Sequence, residues 1–270
     1  MSPDESLEFI LKILNKKTGQ FASITKMDVI EYLGSLDNNS IDLIVTDPAY
    51  SGMNQHLMLG KGRIVGTYKD RENKEGKWFT EFLDTKENYE TFLRECFRIL
   101  KPNSHIFVMF DPYSLISLAP IVREVFEVKN LITWNKVHFG MGHYFRRQSE
   151  QILFASKGKR PLTSRSIPDI WNFKRIKPAK YPTQKPVELF RGMIAASIEA
   201  GNSDFKVLDP FMGAGSSALA AFQHGVSFCG CDISDEAIEM SIDRLNAYIN
   251  SEPDPFQKNA AIPSDGKVWW

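Results

Sequence analysis

Cysteine and histidine are scarce in this sequence, which holds three cysteines and five histidines among 270 residues. An odd number of cysteines provides no fully paired disulfide framework, and Cys229 and Cys231 alternate along an apparent buried strand. We therefore interpret them as reduced thiols of the core. The histidines are scattered, whereas a zinc site needs ligands at matching spacing, so we predict no metal site.

Net charge and long apolar runs are also absent. The 33 basic residues balance the 33 acidic ones, which argues against indiscriminate binding to nucleic acid. No apolar run approaches the length of a membrane span, and the acidic start MSPDESLEF is unlike a secretory signal. We expect a soluble, cytoplasmic protein. Its 43% hydrophobic and 24% charged residues are typical of globular proteins, and we predict one domain over residues 1–250 with a loose tail over 251–270.

The stretch Ile41–Tyr50, IDLIVTDPAY, has the pattern of a buried parallel strand that ends in a polar turn. Ligands of open α/β sheets bind at the carboxyl ends of such strands. Pro48 lacks an N–H group and biases Asp47 towards an extended conformation, which leaves the Asp47 carboxylate and the Pro48 carbonyl as acceptors near Tyr50. Two acceptors beside a flat ring suit an amino group on a planar base. Asp-Pro after a strand is also a common turn, so this stretch alone does not identify a site.

A second apolar strand, in Lys206–Ser217 (KVLDPFMGAGSS), leads into Asp209, Pro210 and a glycine-bearing loop that opens a helix. Glycines let the backbone approach a ligand, and a helix N-terminus offers unpaired donors. The next predicted strand ends in Asp232, 17 residues after Gly215 (232 − 215). This is close to the spacing, about 20 residues, at which an acidic residue meets a ribose hydroxyl in nucleotide-binding folds.

The pair DPAY and DPFMGAGS resembles the catalytic and cofactor motifs of the S-adenosylmethionine-dependent amino-methyltransferases of DNA. Because the catalytic motif comes first, the order is similar to that of the β class. The segment Tyr181–Glu188, YPTQKPVE, is similar to an HPTQKP-type segment of that class. Two further blocks, Leu131–Lys136 and the residues around Glu150, also resemble blocks of that class. Two residues depart from the family pattern: Ala49 stands where a second proline is usual, and Tyr181 stands where a histidine is usual.

The resemblance implies an α/β fold of the Rossmann-like class I methyltransferase type, with a mostly parallel seven-stranded sheet flanked by helices and a circularly permuted motif order. It assigns catalysis to Asp47, Pro48 and Tyr50. The residues it places near S-adenosyl-L-methionine are Asp28, Thr183, Lys185, Asp209, Pro210, Phe211, Gly213, Gly215, Ser216 and Asp232. Asp28 is equally suited to cap the helix that follows it.

A basic segment runs from Lys157 to Lys180, with eight basic residues and one acid. Basic side chains neutralise phosphates, and the nearby Trp171, Phe173 and Tyr181 suit base stacking, so we predict a short target-recognition segment over 157–181. The alternative is a solvated loop whose aromatics pack inward. The predicted DNA contacts are Lys61, Arg63, Arg146, Arg147, Arg165, Lys174, Arg175 and Lys177.

Residues 51–86 form the other predicted insertion. Ser51–Lys77 contains five glycines and mixed charges without periodicity, and loops this long in compact domains are usually functional or disordered. We predict a flap over the substrate base. Elsewhere, apolar periodicity predicts a helical lead-in over residues 1–20, a strand at Phe21–Met27, and helices at Glu87–Leu100 and from Thr183 onwards.

These motifs together predict methylation of the N6 amine of adenine, in a base rotated out of double-stranded DNA. Methylation of cytosine N4 uses the same geometry and stays open as an alternative. An RNA methyltransferase is a further alternative, because DPxY-type turns also occur in such enzymes. A non-catalytic DNA- or cofactor-binding subunit of a restriction or defence complex is another, against which the intact Asp47, Pro48, Tyr50 and glycine turn argue. Because the recognition segment is short, we predict a homodimer or a partner subunit that supplies further DNA contacts.

Overall fold

The computed structural model describes residues 10–48, 85–140, 145–181, 184–198, 202 and 204–257. In these ranges the chain forms nine strands and six helices. The strands are β1 Ile10–Leu14, β2 Phe21–Lys26, β3 Ile41–Thr46, β4 Leu100–Phe110, β5 Glu127–Asn135, β6 Ser149–Lys157, β7 Ile170–Asn172, β8 Lys206–Asp209 and β9 Ser227–Asp232. The helices are α1 Val29–Ser35, α2 Lys86–Ile99, α3 Pro112–Val125, α4 Val187–Ser197, α5 Ser216–Gln223 and α6 Asp235–Ile249.

All nine strands belong to one sheet, in the order β1-β2-β9-β8-β3-β4-β6-β5-β7. Strands β1 and β6 run antiparallel to their neighbours, and the other seven run in a common direction. Strand β3 lies at the centre, with Ile44 opposite both Ile106 of β4 and Leu208 of β8. The sheet is therefore mostly parallel, and β3 and β8, which carry the two Asp-Pro motifs, are neighbours although they are far apart in the chain.

The sheet is wider than the seven strands that the resemblance implies. The two additional strands are β1 and β7, one at each edge, and the inner seven form the implied sheet. Strand β1 also corrects the predicted helical lead-in. Its five residues pair antiparallel with β2, from Ile10 opposite Thr25 to Leu14 opposite Phe21. The apolar spacing in ILKIL fits either structure over so short a length, and pairing with an available sheet edge decides between them.

Helices cover both faces of the sheet, because β3 is buried on both sides. Alternate residues Leu43 and Val45 pack with α4, α5 and α6, whereas Ile44 packs with α1, α2 and α3. This arrangement matches the unbroken apolar run of β3, since strands covered on both faces lack polar alternation. Among the described helices, none is long and apolar enough to span a bilayer.

Polar residues set several helix starts. Asp28 accepts a hydrogen bond from the Ile30 amide at 2.8 Å at the start of α1, and Ser234 accepts one from the Ala237 amide at 3.3 Å at the start of α6. Both caps satisfy amides that lack a partner within the helix. Helix α4 begins at Val187 with Pro186 as its N-cap, later than the predicted start at Thr183. Proline has no amide hydrogen to leave unsatisfied there.

Gly230 in β9 allows two strands to pack closely. A Cβ atom at Gly230 would lie 2.9 Å from the carbonyl oxygen of Asp209 and 2.7 Å from the nearest atom of the Phe228 ring. We expect Gly230→Ala to destabilise the fold by about 1–3 kcal/mol, the usual cost of overpacking. Urea denaturation followed by circular dichroism measures the change.

Gly34→Ala in helix α1 is the matched control, because a Cβ atom there meets no atom within 4 Å. The gain in helix propensity predicts stabilisation by about 0.5–1 kcal/mol. Equal effects of the two substitutions would contradict the close approach of β9 and β8.

Candidate active site

Five neighbouring parallel strands end at one edge of the sheet, and an aspartate stands at the end of each or within two residues of it. In sheet order, from β2 through β9, β8 and β3 to β4, these are Asp28, Asp232, Asp209, Asp47 and Asp111. The carboxyl edge of an open α/β sheet is where ligands bind. Asp111 accepts hydrogen bonds from the amide and hydroxyl of Ser114, which fits the structural role expected for a helix cap.

Asp47 lies next to a lysine that the sequence places far away. The Lys185 ammonium forms a short ion pair with Asp47 Oδ2, and the Lys185 and Asp47 side chains are only 12% and 20% exposed. Lys185 Nζ also lies 3.8 Å from Glu150 Oε2, and Glu150 Oε1 accepts a hydrogen bond from Lys136 at 2.5 Å. Four residues of alternating charge are therefore linked by successive contacts, in the order Asp47, Lys185, Glu150 and Lys136. We call this set the charge chain.

Burial and charge act in opposite directions within the charge chain. Burial raises the pKa of Asp47 against the lowering effect of the Lys185 ammonium. Burial would also raise the pKa of Glu150, but Lys185 and Lys136 hold it below its ordinary value. Burial would lower the pKa of Lys185, and the two carboxylates raise it instead. The cations thus favour the ionised form of both carboxylates.

The glycine turn after β8 has the backbone shape expected of a ligand cradle. Gly213 and Gly215 have φ angles of +47° and +71°, which other residues rarely adopt. A Cβ atom at Gly215 would lie 2.9 Å from the Cα atom of Ser241 in helix α6. The Gly213 amide donates to Asp232 Oδ2 at 3.0 Å, so the turn is fixed to the end of β9.

Lys185 connects this turn with the Asp-Pro motif. Its side chain pairs with Asp47, and its carbonyl oxygen accepts a hydrogen bond at 2.7 Å from the hydroxyl of Ser216, the first residue of α5. One residue thereby binds the end of β3 and the start of the helix that follows the glycine turn. The two motifs, which are far apart in the chain, are therefore joined at the carboxyl edge of the sheet through Lys185.

Asp209, the last residue of β8, is fully buried. Its Oδ1 accepts from the Phe211 amide at 3.1 Å. Burial raises the pKa of its carboxyl to about 7, against the lowering effect of hydrogen bonds from the Ser217 and Thr46 side chains. Among the described residues near the site, the Gln184 side-chain amide has both polar atoms buried without a hydrogen-bond partner. Buried polar atoms are usually paired, so this amide is a candidate for a ligand contact.

A buried arginine supports the glycine turn from behind. Arg244 of α6 is completely buried and donates to the Ala214 carbonyl at 2.9 Å and to Ser216 Oγ at 2.8 Å. Its charge is matched by Asp254, at 2.6 Å. Asp254 belongs to the predicted loose tail, and for residues 251–257 that prediction was wrong. Gln257 also accepts from the Val187 amide at 3.1 Å, so the tail is attached to the start of α4 as well.

The predicted DNA contacts fall into three groups. Lys174, Arg175 and Lys177 follow β7 at the carboxyl edge, near the β5–β6 loop that carries Arg146 and Arg147. Arg175 Nη2 lies 3.4 Å from the Phe139 carbonyl, and the Arg146 guanidinium stacks 4.0 Å from the Phe139 ring centroid.

Arg165 lies apart from this group. Two residues before it, the Thr163 amide donates to the Ala196 carbonyl at 3.0 Å, in the last turn of α4. That turn lies away from the carboxyl edge, because Ser197 hydrogen-bonds to His105 in the middle of β4, which pairs with Leu43 near the start of β3. Lys61 and Arg63 lie outside the described residues, as do Tyr50, Thr183 and nearly all of the predicted flap.

The aromatics of the basic segment do not lie exposed together for base stacking. Trp171 is fully buried in the core and donates to the Pro168 carbonyl at 2.8 Å, so its predicted stacking role was wrong. Phe173 packs against the same core. Lys157 donates to the Phe97 and Leu100 carbonyls at 2.7 and 2.6 Å. The inward-packing alternative therefore holds for this part of the segment.

The match to known families covers most of the chain. Residues 41–243 match the model of the N6/N4 methyltransferase family, described as DNA methylase. The chain therefore belongs to the N6/N4 family of DNA methylases. It is 29% identical over 269 residues to the type II methyltransferase M.HpaI of Haemophilus parainfluenzae, covering 88% of this chain and 78% of that protein. It is 27% identical over 244 residues to M2.DpnII of Streptococcus pneumoniae, covering 82% and 88%.

Solved structures share the fold at low sequence identity. The PvuII DNA methyltransferase, titled cytosine-N4-specific, has a TM-score of 0.61 and 16% identity, covering 86% of this chain and 93% of its own. The complex of M1.HpyAVI with SAM has a TM-score of 0.58 and 21% identity, covering 83% and 99%. The Rossmann-like class I methyltransferase fold is thereby confirmed.

The Arg244–Asp254 pair should contribute strongly to stability, because removing one partner leaves a buried charge unpaired. We expect Asp254→Ala to lower the free energy of unfolding by about 3–5 kcal/mol. Arg94→Ala is the control, since the Arg94–Glu90 pair is 63% and 31% exposed and should matter by less than about 0.5 kcal/mol. Chemical denaturation measures both, and a change at Asp254 as small as that at Arg94 would refute the supporting role of the tail.

Proposed function

We propose that this DNA methyltransferase transfers a methyl group from S-adenosyl-L-methionine to the N6 amine of adenine, in a base rotated out of double-stranded DNA. The observation that carries the proposal is the position of Asp47. Its carboxylate lies at the carboxyl edge of the sheet, on the strand beside the glycine turn, and Lys185 joins the two motifs.

The residues at the glycine turn suit S-adenosyl-L-methionine. Two glycines with positive φ expose backbone to a ligand, and the buried Gln184 amide, which has no hydrogen-bond partner among the described residues, offers polar contacts next to Lys185. We assign the methionine end to Asp209–Ser216 and the ribose hydroxyls to Asp232. Asp28 is assigned to the adenine side, in addition to its cap. When bound, this cofactor would supply a methyl group already activated by its sulfonium, its carbon–sulfur bond breaking to leave a neutral thioether while the methylated amine releases one proton to solvent.

Asp47 and Pro48 would orient the nucleophile. An exocyclic amine reacts poorly because its lone pair is delocalised into the ring. Hydrogen bonds from its two hydrogens to the Asp47 carboxylate and the Pro48 carbonyl draw the nitrogen towards a pyramidal shape and direct its lone pair at the methyl group. Such positioning is worth up to about 7–11 kcal/mol in well-oriented reactions. We assign stacking on the extruded base to Tyr50.

Asp47 favours adenine over cytosine as the substrate base. In the family that the sequence resembles, enzymes acting on adenine tend to have aspartate at the first position of the DPAY-type motif. A relative from Escherichia coli strain K12, 24% identical, is named DNA adenine methyltransferase YhdJ. Cytosine N4 presents the same amine geometry. Nucleoside analysis of methylated DNA distinguishes the two products directly.

The primary test is transfer of a labelled methyl group to unmodified DNA, followed by identification of the modified nucleoside. We expect N6-methyladenine from the wild type. Asp47→Asn should lower kcat by about 100-fold or more, the usual scale for removing a preorganised polar contact to the reacting group. Binding of the cofactor, measured by calorimetry, should be retained.

The exposed Asp243 on α6 provides the control, and Asp243→Asn should leave the rate unchanged. Transfer by Asp47→Asn at a rate comparable with the wild type would overturn the catalytic assignment. An N4-methylcytosine product would retain the class of reaction and change the substrate.

We further infer that DNA is held by Arg146, Arg147, Lys174, Arg175 and Lys177, and that a second subunit supplies additional contacts. Basic side chains of this kind bind phosphates, and phosphate contacts do not by themselves select a base sequence. The short segment after β7 therefore needs a homodimer or a partner subunit for sequence recognition. Light scattering with and without DNA measures the assembly, and a monomer with full site specificity would contradict it.

A further inference from the structure

We propose that Lys185 and Glu150 are positioning residues for methyl transfer: Lys185 holds one oxygen of Asp47 so that the other faces the substrate amine, and Glu150 holds Lys185. This inference rests on the proposed function and assigns roles to side chains outside the Asp-Pro motif. Asp47 remains the catalytic residue, because it is the group that contacts the amine.

The first support is geometric convergence. Asp47 follows β3, Lys185 precedes α4, Glu150 lies near the start of β6, and Lys136 follows β5. Because β6 is antiparallel to β4 and β5, its beginning lies at the edge where those strands end. The topology therefore brings four segments that are distant in the chain together at one edge of the sheet. Each residue of the charge chain has the opposite charge to the residue next to it.

The second support is the pairing of individual atoms. Lys185 Nζ binds Asp47 Oδ2, which leaves Oδ1 as the oxygen we assign to the amine. On its other side, Lys185 Nζ faces Glu150 Oε2 at 3.8 Å, while Glu150 Oε1 is bound by Lys136. An ammonium held from two sides cannot rotate freely, and neither can the carboxylate that it binds. The orientation of Oδ1 is thus set before substrate arrives.

The third support is the need for an ionised acceptor in a buried place. A carboxylate removed from water tends to take up a proton unless an opposite charge lies nearby. A protonated Asp47 would lose acceptor capacity and charge towards the amine. Lys185 opposes protonation of Asp47, whereas the negative charge of Glu150 favours it. Asp47 in turn raises the pKa of the neighbouring Asp209. Lys136, like Lys185, lowers the pKa of Asp47, and Arg147 lowers the pKa of Glu150.

These opposing charges lead to a signed test. Single-turnover methyl transfer at saturating cofactor and DNA is measured between pH 5 and pH 10 for the wild type, Lys185→Met and Glu150→Gln. Loss of rate on the acid side of this range reports protonation of Asp47, whose pKa burial raises. In Lys185→Met, loss of the cation should move the acid limb of the profile to higher pH by about one unit or more, which is about a tenfold loss near that limb.

Glutamine at position 150 keeps an oxygen that can accept from Lys185 and removes the negative charge near Asp47. Glu150→Gln should therefore move the acid limb in the opposite direction, to lower pH, because Glu150 raises the pKa of Asp47. Lys185→Arg keeps the cation and should keep the limb near its wild-type position. A role in folding alone would lower the rate at every pH without moving the limb. Opposite shifts in the two variants therefore distinguish positioning of Asp47 from general damage.

Shifts of both variants in the same direction, or an unmoved limb in both, would overturn the inference. Circular dichroism and cofactor binding establish that each variant is folded. Should Lys185→Met not fold, Glu150→Gln and Lys185→Arg still decide the matter, because an unchanged limb in Glu150→Gln refutes the coupling. A wild type that transfers no methyl group to DNA at any pH would instead refute the proposed function, so the two failures are distinguishable.

Discussion

The contact on which the site depends is the ion pair between Lys185 and Asp47. The same lysine binds Ser216 through its backbone carbonyl, so one residue joins the strand that bears the acceptor to the helix that follows the glycine turn. Buried ion pairs contribute little net stability compared with apolar packing of similar volume. The value of this pair lies in the fixed orientation of a charged acceptor next to the cofactor turn.

The protein supports this arrangement with a second buried charge. Arg244 lies completely buried behind the glycine turn and is neutralised by Asp254, from the segment after the last helix. The Ser216 hydroxyl, next to the turn, donates to the Lys185 carbonyl and accepts from the Arg244 guanidinium, so both residues fix the turn at this point. A turn with two positive φ angles has few local restraints of its own, and these tertiary bonds restrict it.

The basic segment separates into a structural part and a surface part. Lys157 donates a hydrogen bond to the Phe97 carbonyl, and Trp171 is buried in the core. Lys174 and Lys177 remain exposed beyond β7, at the edge that carries Asp47. Charge density along the sequence does not distinguish these two roles, because it is unaffected by which side of a strand a residue occupies.

Sequence patterns alone predicted the family, the two motif strands, the glycine turn and the helix cap at Asp28. Each of these depends on local rules: unbroken apolar runs predict buried strands, glycine permits positive φ, and a short polar side chain caps a helix. Long-range packing was needed to establish that residues 10–14 form an edge strand, that Trp171 is buried, and that Asp254 pairs with Arg244. It alone placed Glu150 and Lys185 beside Asp47, because the order of strands in a sheet, and hence which charges meet at its edge, depends on contacts between residues far apart in the chain.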